Sequence, residues 1–188
     1  EERYGNRQDR VLHVLVVGGS QGARVLNQVV PEAMAELTPD QRPKLLHQCG
    51  RDRAQELFAR YRELGIEADV REFIEDMAAA YYEADLVVCR AGAMTVAEIC
   101  AVGLAAVLVP YPYAAGNHQK INAQYLVSQG AAIALEESEF SANLLALTVR
   151  KFQDDRSRLL SIAQKARALG RPDAIGRVTG QCLEVVSA

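Results

Sequence analysis

With 188 residues, 49% of them hydrophobic and 24% charged, the chain can bury one sizeable core and reads as a single globular domain of ordinary composition. A net charge of −3, from 21 basic and 24 acidic residues spread along the sequence, excludes the basic footprint of a nucleic-acid binder. No apolar run approaches the ~18 residues a membrane span needs, and no signal peptide opens the chain.

The first residue is Glu1, so the sequence reads as a piece of a longer protein, and the polar stretch 1–10 as a linker or frayed terminus before a domain at 11–188. Residues 11–17 form an apolar run that fits a buried strand, followed at once by Gly18-Gly19-Ser20-Gln21-Gly22-Ala23. Three glycines in five positions make a tight turn that a ligand can approach closely. Helical spacing starts at Arg24, and Pro31 is expected to kink or restart that helix before Leu37. A loop at 38–43, a strand at 45–49, a helix at 52–64 closed by Gly65 and a strand at 67–71 come next. Phe73-Ile74-Glu75-Asp76 leads into a short helix at 77–83. A strand at 86–89 is buried on both faces by its composition, and helical spacing resumes at 94–102 after Gly92 and Ala93. The rest reads as a strand at 105–109, a proline- and glycine-rich loop at 110–117, a helix at 118–128 ending at Gly130, a strand at 131–135, and helices at 142–153, 156–169 and 173–185. Strands alternating with helices predict an α/β fold, a doubly wound parallel sheet of the Rossmann-like kind, with ligands at the carboxyl ends of the strands.

Three loops then converge on one edge: 18–23, 90–95 and 110–119. The first spells Gly-x-Ser-x-Gly, a nucleophile elbow around Ser20, but too little chain precedes it to supply the other half of an oxyanion hole. As a dinucleotide fingerprint it also fails, because Gly18, Ser20 and Ala23 fill the three glycine positions and no acid ends the strand at His47-Gln48-Cys49. A phosphate turn survives both tests, with backbone N–H groups and the Ser20 hydroxyl facing an anion. In the second loop a helix begins beside a strand end, which aims N–H groups at an anion. Thr95 and Glu98 are three apart and share one helix face, where a carboxylate can take both hydroxyls of a ribose. The same residues also fit an ordinary helix start, with Thr95 as cap and Glu98 offsetting the dipole. In the third loop Gln119 offers an amide that both donates and accepts, as sugar hydroxyls do, and the neutral ring of His118 can bond a phosphate or hydroxyl. Asn117 there also reads simply as a helix cap. The four cysteines, Cys49, Cys89, Cys100 and Cys182, lack C-x-x-C spacing and read as reduced residues of a cytosolic protein. No D-x-D occurs, so no protein-held metal is expected.

Gly18 to Ala23, Phe73 to Met77, Val87 to Glu98, and His118-Gln119 with Asn122-Ala123 together resemble the MurG family. Its members are the N-acetylglucosaminyltransferases that convert lipid I to lipid II in peptidoglycan synthesis. The similarity runs from Val11 to the last helix and corresponds to the carboxyl-terminal half of that family. The resemblance implies one half of a two-domain GT-B glycosyltransferase, with the UDP-GlcNAc donor in this half and the lipid I acceptor in the other. It assigns Gly19, Ser20 and Gln21 to the pyrophosphate and Phe73 with the Ile74 main chain to uracil. Gly92, Ala93, Met94 and Thr95 form the helix start that meets phosphate. Glu98 takes the ribose hydroxyls, while His118 and Gln119 contact the sugar and phosphate. Departures from the family pattern are Ala91 where serine is frequent, His118 in place of a glutamine, and the variable Tyr111-Pro112-Tyr113. The resemblance further implies inverting transfer without a cofactor, a general base outside this chain, and a cytoplasmic enzyme peripheral on the inner membrane that touches the membrane only through its other half. Two other readings are a free-standing nucleotide-sugar subunit with a separate acceptor subunit, and a relative of the UDP-GlcNAc 2-epimerases.

Overall fold

The computed structural model describes residues 10–19 and 22–186. Strands and helices alternate as β1 (His13–Val17), α1 (Arg24–Ala35), β2 (Lys44–Gln48), α2 (Ala54–Glu63), β3 (Asp69–Arg71), α3 (Met77–Glu83), β4 (Leu86–Cys89), α4 (Ala93–Val102), β5 (Ala105–Leu108), α5 (His118–Ser128) and β6 (Ile133–Ala134). Helices α6 (Ala142–Asp154), α7 (Arg156–Leu169) and α8 (Ala174–Val186) follow, and 3-10 turns occupy Pro39–Gln41 and Ala115–Asn117. The sheet order is β3-β2-β1-β4-β5-β6, with every pairing parallel. The doubly wound fold read from the sequence is the one observed.

Both sheet faces are covered, which is why the strands carry continuous apolar runs. Val14, Val16, Leu86, Val88, Ala105 and Val107 meet Leu26 and Val30 of α1, Leu57 and Tyr61 of α2, and Val149 and Phe152 of α6. Leu15, Val17, Val87, Cys89, Ala106 and Leu108 meet Ala80 and Tyr81 of α3, Ile99 of α4, and Ala123 and Leu126 of α5. Residues one apart thus anchor opposite layers, as the period of two requires.

Three expectations change. Helix α1 runs without a break through Pro31, which is itself buried. An interior proline costs about 3 kcal/mol, but Leu26, Val30 and Met34 on the same helix are buried, at about 1.5–3 kcal/mol each. Tertiary packing therefore exceeds the local penalty. The loop at 38–43 holds a 3-10 turn with a capping box between Thr38 and Gln41. Edge strands β3 and β6 are shorter than the 67–71 and 131–135 read from the sequence, since each pairs with its single neighbour only over Leu46↔Asp69 to Gln48↔Arg71 and Val107↔Ile133 to Leu108↔Ala134.

The amino end of the sheet is closed by charge. Buried Asp85 accepts from the His13 N–H at 2.9 Å and pairs with Arg10 at 3.3 Å and Arg156 at 3.9 Å. Arg10 is the last residue of the expected linker, whose other residues, 1–9, lie outside the described residues; it also donates to the Glu83 carbonyl at 2.9 Å. Among the described residues no helix is long and apolar enough to cross a membrane.

Candidate functional site

Strand order turns back on itself between β1 and β4, since β1, β2 and β3 step one way and β4, β5 and β6 the other. Loops leaving two adjacent strands in opposite directions open a crevice at their carboxyl ends, and this is where open α/β sheets bind ligands. The glycine turn follows β1 and the Arg90–Gly92 segment follows β4, so the sequence places its two phosphate candidates on the two sides of that crevice.

Two glycines make the first wall possible. A Cβ on Gly18 would lie 2.8 Å from the Ala23 nitrogen and 2.9 Å from the Gln48 carbonyl oxygen. Gly22 has φ +70°, and a Cβ there would collide with the Cys49 carbonyl oxygen. Exposed Gly19 has its carbonyl bonded to the Gly22 N–H at 3.0 Å. Ser20 and Gln21, both assigned to the pyrophosphate by resemblance, lie outside the described residues.

The second wall is the start of α4. Gly92 is its N-cap, has no side chain to cap with, and the first helical turn contains no acid. Helix α1 likewise begins on Ala23 without a side-chain cap, as α2 and α5 also do, whereas α3, α6 and α7 are capped by Asp76, Ser141 and Asp155. The crevice is therefore flanked by two helix starts whose N–H groups, among the described residues, no N-cap side chain has taken. Ala93 and exposed Met94 open α4, with Thr95 half-buried in its first turn. Thr95 is inside the helix and Glu98 lies in the second turn, so the plain reading of cap and dipole partner does not apply to them.

Glu98 is exposed, yet its Oε2 accepts a hydrogen bond from the hydroxyl of Tyr81 at 2.9 Å. Tyr81 comes from α3 and is 3% exposed. Burial first, then the bond to Glu98 and its charge, push the phenol well above its ordinary pKa, so it remains the donor. The same carboxylate adds to burial in raising the Cys89 thiol at the end of β4 to about 12. Cys89 is accordingly an inert packing residue.

Phe73 and Ile74 divide their roles. The Ile74 side chain is buried among Leu15, Val17 and Tyr81, while the Phe73 ring is 62% exposed at the carboxyl end of β3. An exposed ring next to an anchored neighbour offers a fixed apolar surface on which a base can stack.

In the third loop hydrogen bonding selects atoms. The Tyr111 N–H donates to the side chain of Gln119 at 3.0 Å, and only the amide oxygen can receive it, so Nε2 is the end left to donate. His118 Nδ1 lies 2.7 Å from the Ala115 carbonyl, which can only accept, so Nδ1 carries the proton. The neutral ring then offers Nε2 as an acceptor, suited to a hydroxyl; donation to a phosphate requires the protonated ring. Asn117 stands at the N-cap of α5 with φ +55° but makes no side-chain cap bond. Arg90 fastens this loop to β4 by donating to the Val109 carbonyl at 3.1 Å, pairing with Glu137 at 2.5 Å and lying 5.2 Å from the Tyr111 ring centroid. Asn122 Nδ2 donates to the Ala91 carbonyl at 3.0 Å and ties α5 to the start of α4.

Sequence reasoning assigned no role to Tyr81 or Arg90. The available signal for Tyr81 was a hydroxyl in an otherwise apolar position of an alanine-rich helix, which demands a buried partner.

Known proteins show the family of the chain. Residues 13–178 match the glycosyltransferase family 28 C-terminal domain. A protein of Marinobacter nauticus is 47% identical over all of this chain and 51% of its own length. One of Nitrosococcus oceani is 52% identical over 93% of this chain and 49% of its own length. Both are named UDP-N-acetylglucosamine–N-acetylmuramyl-(pentapeptide) pyrophosphoryl-undecaprenol N-acetylglucosamine transferase. The crystal structure of Acinetobacter baumannii MurG superposes with a TM-score of 0.87 at 38% identity, covering 95% of this chain and 53% of that one. The chain spans about half the length of the curated relatives it matches.

Proposed function

The chain belongs to the glycosyltransferase family 28 C-terminal domain family, and on that premise we propose that it holds the UDP-GlcNAc donor of an inverting transferase that passes GlcNAc to lipid I. The observation that carries this reading is the crevice between β1 and β4. A glycine turn and an uncapped helix start face each other there, and a tethered carboxylate stands one turn along α4. An anion, an apolar base and a diol find complementary groups at three successive places along this edge.

The diphosphate lies between the Gly19–Gln21 turn and the first turn of α4, where Gly92, Ala93, Met94 and Thr95 present backbone N–H groups. Uracil stacks on Phe73 and pairs with the Ile74 main chain, Glu98 takes the ribose hydroxyls, and His118 and Gln119 reach the sugar. As the acceptor hydroxyl attacks the anomeric carbon, negative charge accumulates on the departing UDP. Aligned N–H donors stabilise that charge more than the ground state, which is how they lower a barrier. The acceptor, the general base and the contact with the cytoplasmic face of the inner membrane fall to the half of the relatives that this chain does not span.

Binding and turnover should accordingly separate. The 188-residue chain incubated with radiolabelled UDP-GlcNAc and a short-chain lipid I analogue should bind the sugar nucleotide and form no lipid II, and adding the other half in trans should restore transfer. Robust transfer by this chain alone would overturn the division of labour and place the base among His13, His118 and the carboxylates here.

A further inference from the structure

Glu98 carries the ribose in the reading above, and a carboxylate on a long exposed side chain has a cost built into that task. Freezing such a side chain forfeits rotamer entropy. Unless something else holds it, the ligand must supply that ordering itself, and affinity falls accordingly.

The fold supplies a holder. Asp76 caps α3 by accepting from the Ala79 N–H at 2.8 Å, and this fixes where the short helix begins. Tyr81, one turn on, is packed among Leu15, Val17, Val87, Cys89 and Ile99. Its ring has no freedom to move away, and its hydroxyl donates to Glu98 Oε2 across the gap between α3 and α4. The donor is buried and rigid while the acceptor is exposed, so the bond orders the carboxylate and leaves Oε1 for a ligand.

We propose that Tyr81 is a positioning residue for nucleotide recognition: its hydroxyl fixes Glu98 through Oε2 so that Oε1 receives the ribose diol, although Tyr81 itself touches no part of the donor. This rests on the assignment of Glu98 to the ribose. Tyr81 thus acts on the ribose contribution alone, which separates positioning from a general support of the fold.

The test is calorimetric titration of UDP and 2′,3′-dideoxy-UDP into the 188-residue chain, Tyr81→Phe, Glu98→Ala and the double variant, each checked by thermal melting. Tyr81→Phe should weaken UDP by about threefold to tenfold, leave dideoxy-UDP unchanged, and add nothing in the Glu98→Ala background. Equal weakening of both nucleotides, or undiminished UDP affinity in a folded Tyr81→Phe, would overturn the proposal. A wild-type chain that ignores UDP, or binds UDP and dideoxy-UDP alike, would instead overturn the assignment of Glu98 beneath it. If Tyr81→Phe does not fold, the wild-type Tyr81 hydroxyl proton is followed by NMR. UDP should shift it and dideoxy-UDP should not; the same response to both ligands counts against positioning.

Discussion

Two tyrosines in this domain bury a phenol and hydrogen-bond its hydroxyl to another side chain, yet they belong to different kinds of structure. Tyr61 of α2 is 1% exposed, and its hydroxyl lies 2.8 Å from Nδ1 of fully buried His47. The other ring nitrogen of His47 is 3.1 Å from Asn27 Oδ1, and Asn27 Nδ2 donates to the Cys49 carbonyl at 3.0 Å. Since that carbonyl can only accept, the amide is fixed, Nε2 carries the imidazole proton, and Tyr61 donates to Nδ1. Every link is spent on the next, and the network closes on the protein's own backbone through half-buried Asn27. Tyr81 instead donates to a carboxylate at the surface that keeps an oxygen in reserve. A buried polar chain that ends on the backbone serves stability, whereas one that ends on an exposed charged group can serve a ligand. The comparison can be broken or sharpened from either side.

The largest effect belongs to the closed side and appears in acid. Burial lowers the His47 pKa from its ordinary 6.5 to about 3. Below 6.5 the unfolded chain takes up a proton that the folded chain refuses until about pH 3. Stability therefore falls as pH drops through this window and is flat, for this group, above it. The slope approaches about 1.4 kcal/mol per pH unit. Urea unfolding at stepped pH should show a steeper acid loss for wild type than for His47→Gln, which starts less stable but lacks the titration. Parallel profiles would mean that His47 is solvated and that the network is not closed.

On the open side, Glu98→Ala should weaken UDP by about 1.5–3 kcal/mol, the range for a hydrogen bond to a charged group. Loss should be confined to ligands with a ribose diol, and dideoxy-UDP should bind wild type and variant alike. Because Glu98 is exposed but accepts from the buried Tyr81 hydroxyl, the melting temperature should fall modestly as that donor loses its acceptor, and unchanged binding of dideoxy-UDP separates this loss from the loss of the ribose contact. Full UDP affinity in a folded Glu98→Ala would remove Glu98 from the site and with it the contrast between the two tyrosines.

Periodicity made most of the scaffold legible. The ranges 77–83, 86–89 and 118–128 read from apolar spacing are those of α3, β4 and α5. Failures came where a distant partner decides the outcome. Pro31 is outweighed by packing that a local rule does not contain, and β3 and β6 begin only at Asp69 and Ile133, where pairing starts, although the neighbouring strands begin two residues earlier in register. At the site, residue types indicated chemistry, but hydrogen bonds across elements decided which atom is offered. The Tyr111 N–H turns Gln119 into a donor, the Ala115 carbonyl turns neutral His118 into an acceptor at Nε2, and Tyr81 claims one oxygen of Glu98. Only the His118–Ala115 bond, three residues apart, follows a local spacing; the other two join residues 8 and 17 apart, which no sequence period announces.

Base choice extends the open side along the same edge. A main-chain clamp at Ile74 that matches the acceptor-donor-acceptor edge of uracil meets the wrong pattern in cytosine, whose N3 lacks a proton and whose N4 donates. Unpaired buried polar groups cost about 1–3 kcal/mol each, so UDP should outcompete CDP in a displacement titration. Equal affinities would detach Phe73 and Ile74 from the nucleotide.

The smallest expected effect is also the one that tests the comparison most directly. Tyr61→Phe keeps the ring and its packing and removes only the hydroxyl, so Nδ1 of His47 loses its donor in a place water does not reach. Leaving that acceptor unsatisfied costs about 1–2 kcal/mol, which in a chain of this size lowers the melting temperature by roughly 2–8 °C. Affinity for UDP should stay where it is, in contrast to Glu98→Ala. One connection would make it otherwise: the network ends on the Cys49 carbonyl, and Gly22 passes so near that carbonyl that a Cβ there would collide with it. If the glycine turn depends on the network for its position, Tyr61→Phe will lose UDP affinity along with stability, and ligands without a diphosphate will not share that loss. Melting curves together with titrations of UDP and uridine decide the matter. A paired loss specific to UDP would show that the closed network supports the phosphate wall as well as the fold, and the distinction between the two tyrosines would fail.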